Sequence, residues 1–260
     1  MTPQQRTAAD LLWAAYEAAD GRPSALPDEV GVLFADLGFE DGLAVQADIL
    51  ARRLARGDHQ VGWKVGLTSE RARKLVGIDD RPFGHLMHLV DSGATVRWAD
   101  SLGPSIEPEL CFTAGERIAG PDVTPEQVRG SLSRAAAGYE LNERRTVVGQ
   151  NMALLIGDNL TNWAIAEGGG CDPGQIHDID ATEIVVSCNG EERFRCTSRD
   201  EVDTPYLSIA RLAATLDRHG LAIEAGHKII TGAYCRFDAS PGDTWTTDYS
   251  GLGRVEITYS

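Results

Sequence analysis

From residue 94 onward the chain is a succession of short β-branched and aromatic runs broken by Gly, Pro and Asp, and this punctuation makes a strand-dominated fold the expectation. The runs fall at residues 94–98, 106–114, 183–188, 192–196, 228–233 and 255–259, with helical interludes expected at 124–137, 148–158 and 204–219. The beginning of the chain reads differently. Ala8, Leu11, Leu12, Tyr16 and Ala19 recur near helical spacing over residues 4–19, with Gly21-Arg22-Pro23 as a stop. Leu43, Ala44, Ala47, Leu50 and Leu54 form one face of a second helix over 40–56, closed by Gly57. Residues 60–67 are strand-like, Thr68-Ser69-Glu70 opens a short helix ending at Gly77, and the turn-rich 79–88 stretch reads as a loop. With no repeat and no low-complexity linker, the expectation is one α+β domain over 1–260, of which 1–58 is a helical subregion.

Composition narrows the function. A net charge of -15 argues against a nucleic-acid surface, because phosphate binding needs a basic face. No apolar run approaches the roughly 20 residues that span a bilayer, so a cytoplasmic protein that engages neither nucleic acid nor membrane is expected. Cys111, Cys171, Cys188, Cys196 and Cys235 are odd in number and lack a CxxC pair, which fits reduced structural thiols.

Chemistry enters at Ile106-Glu107-Pro108-Glu109-Leu110. Alternation puts Glu107 and Glu109 on one face of a strand, and Pro108 is tolerated at a strand start, edge or bulge. Carboxylates that close repel unless a cation lies between them, and a hard divalent metal fills that role; the same spacing also describes the solvated face of an edge strand. Glu140, expected just after a helix in an apolar setting, completes a possible set of three acids. Lys64 stands in Gly62-Trp63-Lys64-Val65-Gly66 among residues that favour burial, where an amine can move protons; it also reads as a snorkelling lysine on a half-exposed strand. Thr231-Gly232 ends an apolar strand where a ligand can approach backbone amides, or is an ordinary strand end. Asp158-Asn159 is a site pair or a helix end with a turn.

Taken in order, G-W-K-V-G-L-T-S, I-D-D-R-P-F-G, I-E-P-E-L, the isolated Glu140, G-D-N and I-I-T-G-A resemble the 2-keto-4-pentenoate hydratase group of the fumarylacetoacetate hydrolase superfamily, together with the related 4-oxalocrotonate decarboxylases. The resemblance implies a mixed β-sandwich roll of the fumarylacetoacetase C-terminal-domain type with a helical N-terminal portion, assembled as a homo-oligomer. It implies Mg²⁺ or Mn²⁺ on Glu107, Glu109 and Glu140, with Lys64 as an acid/base. Substrate contacts would come from Leu67, Phe83, Asp158, Thr231 and Gly232. Where the family commonly has an acid immediately before Phe-Gly this chain has Pro82, so the second acid/base is expected at Asp79 or Asp80. The segment after the third glutamate is also changed, to Asn142-Glu143-Arg144-Arg145. The implied activity is hydration of a 2-hydroxydienoate or 2-oxo-4-enoate to a 4-hydroxy-2-oxo acid through an enolate stabilised by the metal. Decarboxylation or C–C bond hydrolysis of a 2-oxo acid is the alternative.

Overall fold

The computed structural model describes residues 1–19, 24–145 and 151–260. Helix α1 (Pro3–Ala18) starts at Thr2, whose hydroxyl accepts from Gln5 N while Gln5 Oε1 accepts from Thr2 N, a reciprocal cap. It packs with α2 (Asp28–Phe34) and α3 (Phe39–Arg56) around Ala8, Leu12, Val30, Phe34 and Val45. Gly57 closes α3 at φ +97°, a conformation open to glycine. The stop expected at Gly21-Arg22-Pro23 and the start of the helix expected at 148–158 fall outside the described residues.

Two sheets follow. In chain order come β1 (Gly62–Val65), α4 (Glu70–Val76), β2 (Phe83–Leu86), β3 (Leu89–Asp91), β4 (Ala94–Val96) and β5 (Ser105–Ala114). Next are α5 (Pro125–Ser131), β6 (Leu132–Asn142), α6 (Met152–Gly157), β7 (Asn162–Cys171), β8 (Glu183–Cys188), β9 (Glu191–Thr197) and α7 (Ser198–Glu201). The chain ends with α8 (Pro205–Arg218), β10 (Lys228–Ile230), β11 (Phe237–Asp238), β12 (Thr244–Tyr249) and β13 (Gly253–Tyr259). The larger sheet runs β2-β1-β10-β5-β6-β7-β3, with β11 also on β5; the smaller runs β4-β13-β12-β8-β9.

The larger sheet closes into a roll. Strand β2 continues through Met87 and His88 into β3, and because β2 pairs with β1 while β3 pairs with β7, its two ends meet. Leu86, Cys111, Ile165 and Ile230, from strands that are not all neighbours, form one buried cluster, which marks the inner face. Alternation then turns Lys64, Gly84, Glu107, Glu109, Gly138 and Glu140 inward as well. The outer face carries the main core: β12 and β13 lie over β6 and β7, α8 over β1 and β2, and α3 over β2. No helix among the described residues is long and apolar enough to cross a membrane, and all five cysteines are free.

Several expected elements change. The 79–88 stretch holds β2, fixed by Phe83 packing edge-on against Trp63 at 5.6 Å. The helix expected over 124–137 ends at Ser131, and Leu132–Asn142 is a central strand. Its alanines favour helix intrinsically, but here Ala135, Ala136 and Ala137 are fully buried in the sheet, where small side chains let the layers approach. Strand β5 is interior, not an edge. Its far side is shared by β10 at residues 111–113 and β11 at 105–106, which leaves a gap opposite 107–110. Tyr234 N donates to Pro108 O across this gap at 3.1 Å, so Pro108 stands where no ladder donor is required.

Candidate metal and substrate site

Register brings the three glutamates together. Glu107 pairs directly with Glu140 across β5 and β6, and Glu109 faces Gly138 two residues along, so all three carboxylates share the inner face. An oxygen from each lies within 4.8 Å of the others. Glu109 and Glu140 are buried and Glu107 nearly so. Burial, followed by the charge of Glu140, pushes the Glu107 carboxyl up to about 7 and that of Glu109 well above its ordinary value. Protons or a cation can relieve the repulsion in such a cluster.

The cage is held from several sides. Lys64 Nζ pairs with Glu140 Oε1 and donates to Leu160 O at 3.2 Å. Asn162 Nδ2 donates to the same Oε1 at 2.9 Å. Glu140 Oε2 is buried and, among the described residues, accepts nothing, which leaves its lone pairs for a metal. Gly232 N donates to Glu109 Oε2 at 2.6 Å, and Arg236 Nη1 lies 3.3 Å from Glu107 Oε1. From the second sheet the Tyr249 hydroxyl reaches the carbonyls of Glu109 and Gly138, each at 3.0 Å, and pins that ladder position. An orphaned oxygen, three converging carboxylates and hard oxygen donors fit a divalent cation.

No family model matches the chain. It is 27% identical over 265 residues to the 2-keto-4-pentenoate hydratase of Paraburkholderia xenovorans (strain LB400), covering 100% of this chain and 96% of that one. It is 28% identical over 218 residues to a 4-oxalocrotonate decarboxylase of Pseudomonas sp, covering 82% of this chain and 84% of that one. The structure of 4-oxalocrotonate decarboxylase from Pseudomonas putida G7, complexed with magnesium and adipate, matches with a TM-score of 0.89 and 25% identity over 100% of this chain and 99% of that one. The chain is a homologue of these hydratases and decarboxylases. Its fold is that of the fumarylacetoacetate hydrolase superfamily, shared at a TM-score of 0.59 and 18% identity with a fumarylpyruvate hydrolase from Pseudomonas aeruginosa over 77% of this chain and 89% of that one.

Against this homology the expected site residues divide. Lys64, Glu107, Glu109, Glu140 and Gly232 meet in the cage, and Thr231, buried beside it, donates to Leu110 O at 3.4 Å. Leu67 adopts φ +53°, and its neighbour Thr68 lies against Gly232 so closely that a Cβ on Gly232, at φ +121°, would overlap Thr68 Oγ1. The other expected residues lie elsewhere. Asp79 is fully exposed, 3.8 Å from Arg73, and Asp80 pairs with Arg218 at 2.5 Å. The intervening loop is tied down by buried Arg81 on Asp203 and by Pro82 against Gly66, and it turns both aspartates outward; the expected second acid/base is not at the cage. Phe83 packs into the outer core against Trp63 and His219, on the opposite face of β2 from Gly84. Asp158 pairs with Arg145 at 3.2 Å and lines a cavity with Arg53, His85 and His88; Asn162, which holds Glu140, borders that cavity, but none of the cage glutamates lines it.

Sequence reading missed Asn162, Arg236 and Gly84, and left Asn159 open between a site residue and a turn. Asn159 clamps β2, accepting from His85 N at 2.8 Å and donating to His85 O at 2.9 Å. Asn159, Leu160 and Thr161 all take positive φ, an uncommon run of left-handed backbone that aims the Leu160 carbonyl at Lys64. The Gly-Asp-Asn motif was the only signal for it, and Asn162 and Arg236 carried none.

Proposed function

We propose that this protein is a metal-dependent hydro-lyase that adds water to a 2-hydroxydienoate or 2-oxo-4-enoate to give a 4-hydroxy-2-oxo acid, in the breakdown of aromatic compounds. The observation that carries this reading is the convergence of Glu107, Glu109 and Glu140 with one buried amine, Lys64, committed to them. A divalent cation, Mg²⁺ or Mn²⁺, held by these glutamates would supply a Lewis acid for the carboxylate and C2 oxygen of the substrate. Lys64 carries the proton that converts the dienol into the α,β-unsaturated ketone, with Nζ held in place by Glu140 and Leu160 O. The Gly232 amide and Thr231 border the bound acid, and the closed roll keeps bulk water from the enol. The enzyme works as one catalytic domain over 1–260, in a cytoplasmic homo-oligomer.

The test is loss of the ultraviolet absorbance of 2-hydroxypenta-2,4-dienoate on adding the protein with Mg²⁺; an unchanged spectrum sinks the hydratase reading for that substrate. The whole-chain likeness to a 4-oxalocrotonate decarboxylase supports a second reading, decarboxylation of a 2-oxo dicarboxylate at the same cage. Release of CO₂ from 4-oxalocrotonate would favour it.

A further inference from the structure

Two cations stand at the cage and they differ in one respect. Lys64 is spent: it pairs with Glu140 and donates to Leu160 O. Arg236 is not. Its Nη1 lies 3.3 Å from Glu107 Oε1, its side chain is 31% exposed, and among the described residues no hydrogen bond engages its guanidinium fork. The backbone beneath it is fixed on both sides. Tyr234 N donates to Pro108 O at 3.1 Å, with the Tyr234 hydroxyl 3.0 Å from Ser198 Oγ. Phe237 pairs with Ile106 in β11 and stacks on Trp245 at 4.9 Å. A rigid base thus presents a long guanidinium at the rim, ion-paired with a carboxylate that a metal would draw away and with no hydrogen bond on its fork among the described residues.

From this placement, and resting on the 2-oxo acid reading above, the geometry points to Arg236 as the residue that receives the substrate's metal-chelating carboxylate. When a cation draws on Glu107, the arginine loses its partner and its planar fork is free to take a carboxylate in two parallel hydrogen bonds. A group this close to a metal ligand lies within reach of an anion on that metal. Lys64 is then left for proton transfer.

The assignment predicts opposite signs for two affinities. A guanidinium repels an incoming dication and attracts the anion that follows. Calorimetry with Mn²⁺ alone, and then with oxalate or pyruvate on the Mn²⁺-loaded protein, would compare wild type with Arg236→Gln and Arg236→Lys. Arg236→Gln should bind Mn²⁺ about threefold or more tighter and oxalate and pyruvate at least about tenfold weaker. Arg236→Lys keeps the charge without the fork, so it should bind Mn²⁺ like wild type and oxalate with intermediate affinity. Unchanged oxalate affinity in Arg236→Gln, or parallel loss of Mn²⁺ and oxalate binding, overturns the assignment. With 2-oxoadipate, a 2-oxo acid bearing a second carboxylate, titrated in the same way, a loss confined to it with oxalate unaffected also overturns the assignment, placing the guanidinium at the substrate's far end. If wild type with Mn²⁺ binds neither oxalate nor pyruvate, the 2-oxo acid reading falls and takes this assignment with it.

Discussion

Gly84 stands opposite Lys64 across the β1–β2 ladder, and the lysine stem runs so close over it that an added Cβ would lie 2.5 Å from Lys64 Cγ and 2.8 Å from Cδ. The glycine is needed for room and not for backbone freedom, since it is not among the positive-φ positions. Gly84→Ala should therefore push Nζ off Glu140 without touching a carboxylate. We expect turnover to fall by about tenfold to a hundredfold, the usual consequence of a misplacement near 1 Å. Mn²⁺ affinity should fall less than turnover, because no carboxylate ligand is displaced directly. Parallel loss of both would show that the lysine's position matters for holding the cage and not for the chemistry.

Lys64 and Glu109 can be separated by substitution. Glu109→Gln keeps an oxygen to accept from Gly232 N but removes one of three anionic donors, so metal affinity should drop at least about tenfold and activity with it. Lys64→Met removes a positive charge from beside the cage while Asn162 still holds Glu140 Oε1. Metal binding should survive and proton exchange at C3 of a bound 2-oxo acid should stop. Nuclear magnetic resonance in deuterium oxide reads that exchange, and a Lys64→Met protein that exchanges at the wild-type rate refutes the role.

What the sequence disclosed and what it hid have separate physical causes. The E-x-E pair was legible because alternation along one strand is a local rule that holds before any tertiary contact forms. Glu140 is legible as a possible third acid but is expected after a helix, since the Ala-rich run before it has helical propensity and only burial in the sheet overrides it. That Glu107 faces Glu140 is a fact of β5–β6 register, which no single strand encodes. Asp79 and Asp80 were misplaced for a related reason: their direction depends on Arg81 reaching Asp203, a residue more than a hundred positions away. Arg236 comes to the cage from the β10–β11 connection and Asn162 from the start of β7, and only the closed roll brings them there.

Metal binding should depend on pH through the raised carboxyls. Glu107, pushed up to about 7, and Glu109, pushed well above its ordinary value, hold protons in the metal-free cage that a cation must displace. Apparent Mn²⁺ affinity should therefore fall as pH drops below about 7, by up to tenfold per pH unit for each proton released. The metal-free protein should show the opposite trend. A carboxyl whose folded value is raised favours the fold below its ordinary value near 4.5, and that contribution is lost as pH rises through about 7. Set against Glu107→Gln, thermal melts of metal-free protein should thus lose this contribution between pH 5 and 8, with Mn²⁺ restoring the loss. Mn²⁺ affinity that does not change between pH 6 and 8 would contradict the protonated cage.

His85 should make the fold sensitive to acid for the opposite reason. Its ring is 1% exposed, Nδ1 has no partner among the described residues, and burial, followed by the charge of Arg53, holds the imidazole down to about 3. A histidine lowered in this way favours the folded chain above its ordinary value of 6.5, and that stability is lost as pH falls from there towards 3. From pH 7 to pH 5 the loss amounts to about 2 kcal/mol. The consequence reaches the cage, because the His85 backbone is clamped by Asn159, which heads the turn that aims Leu160 O at Lys64. In urea titrations of His85→Leu, whose side chain stays apolar and close in volume, the drop between pH 7 and pH 5 should be about 2 kcal/mol smaller than in wild type. Equal drops in the two proteins would mean that other groups set the acid sensitivity and that His85 is free to protonate in the fold.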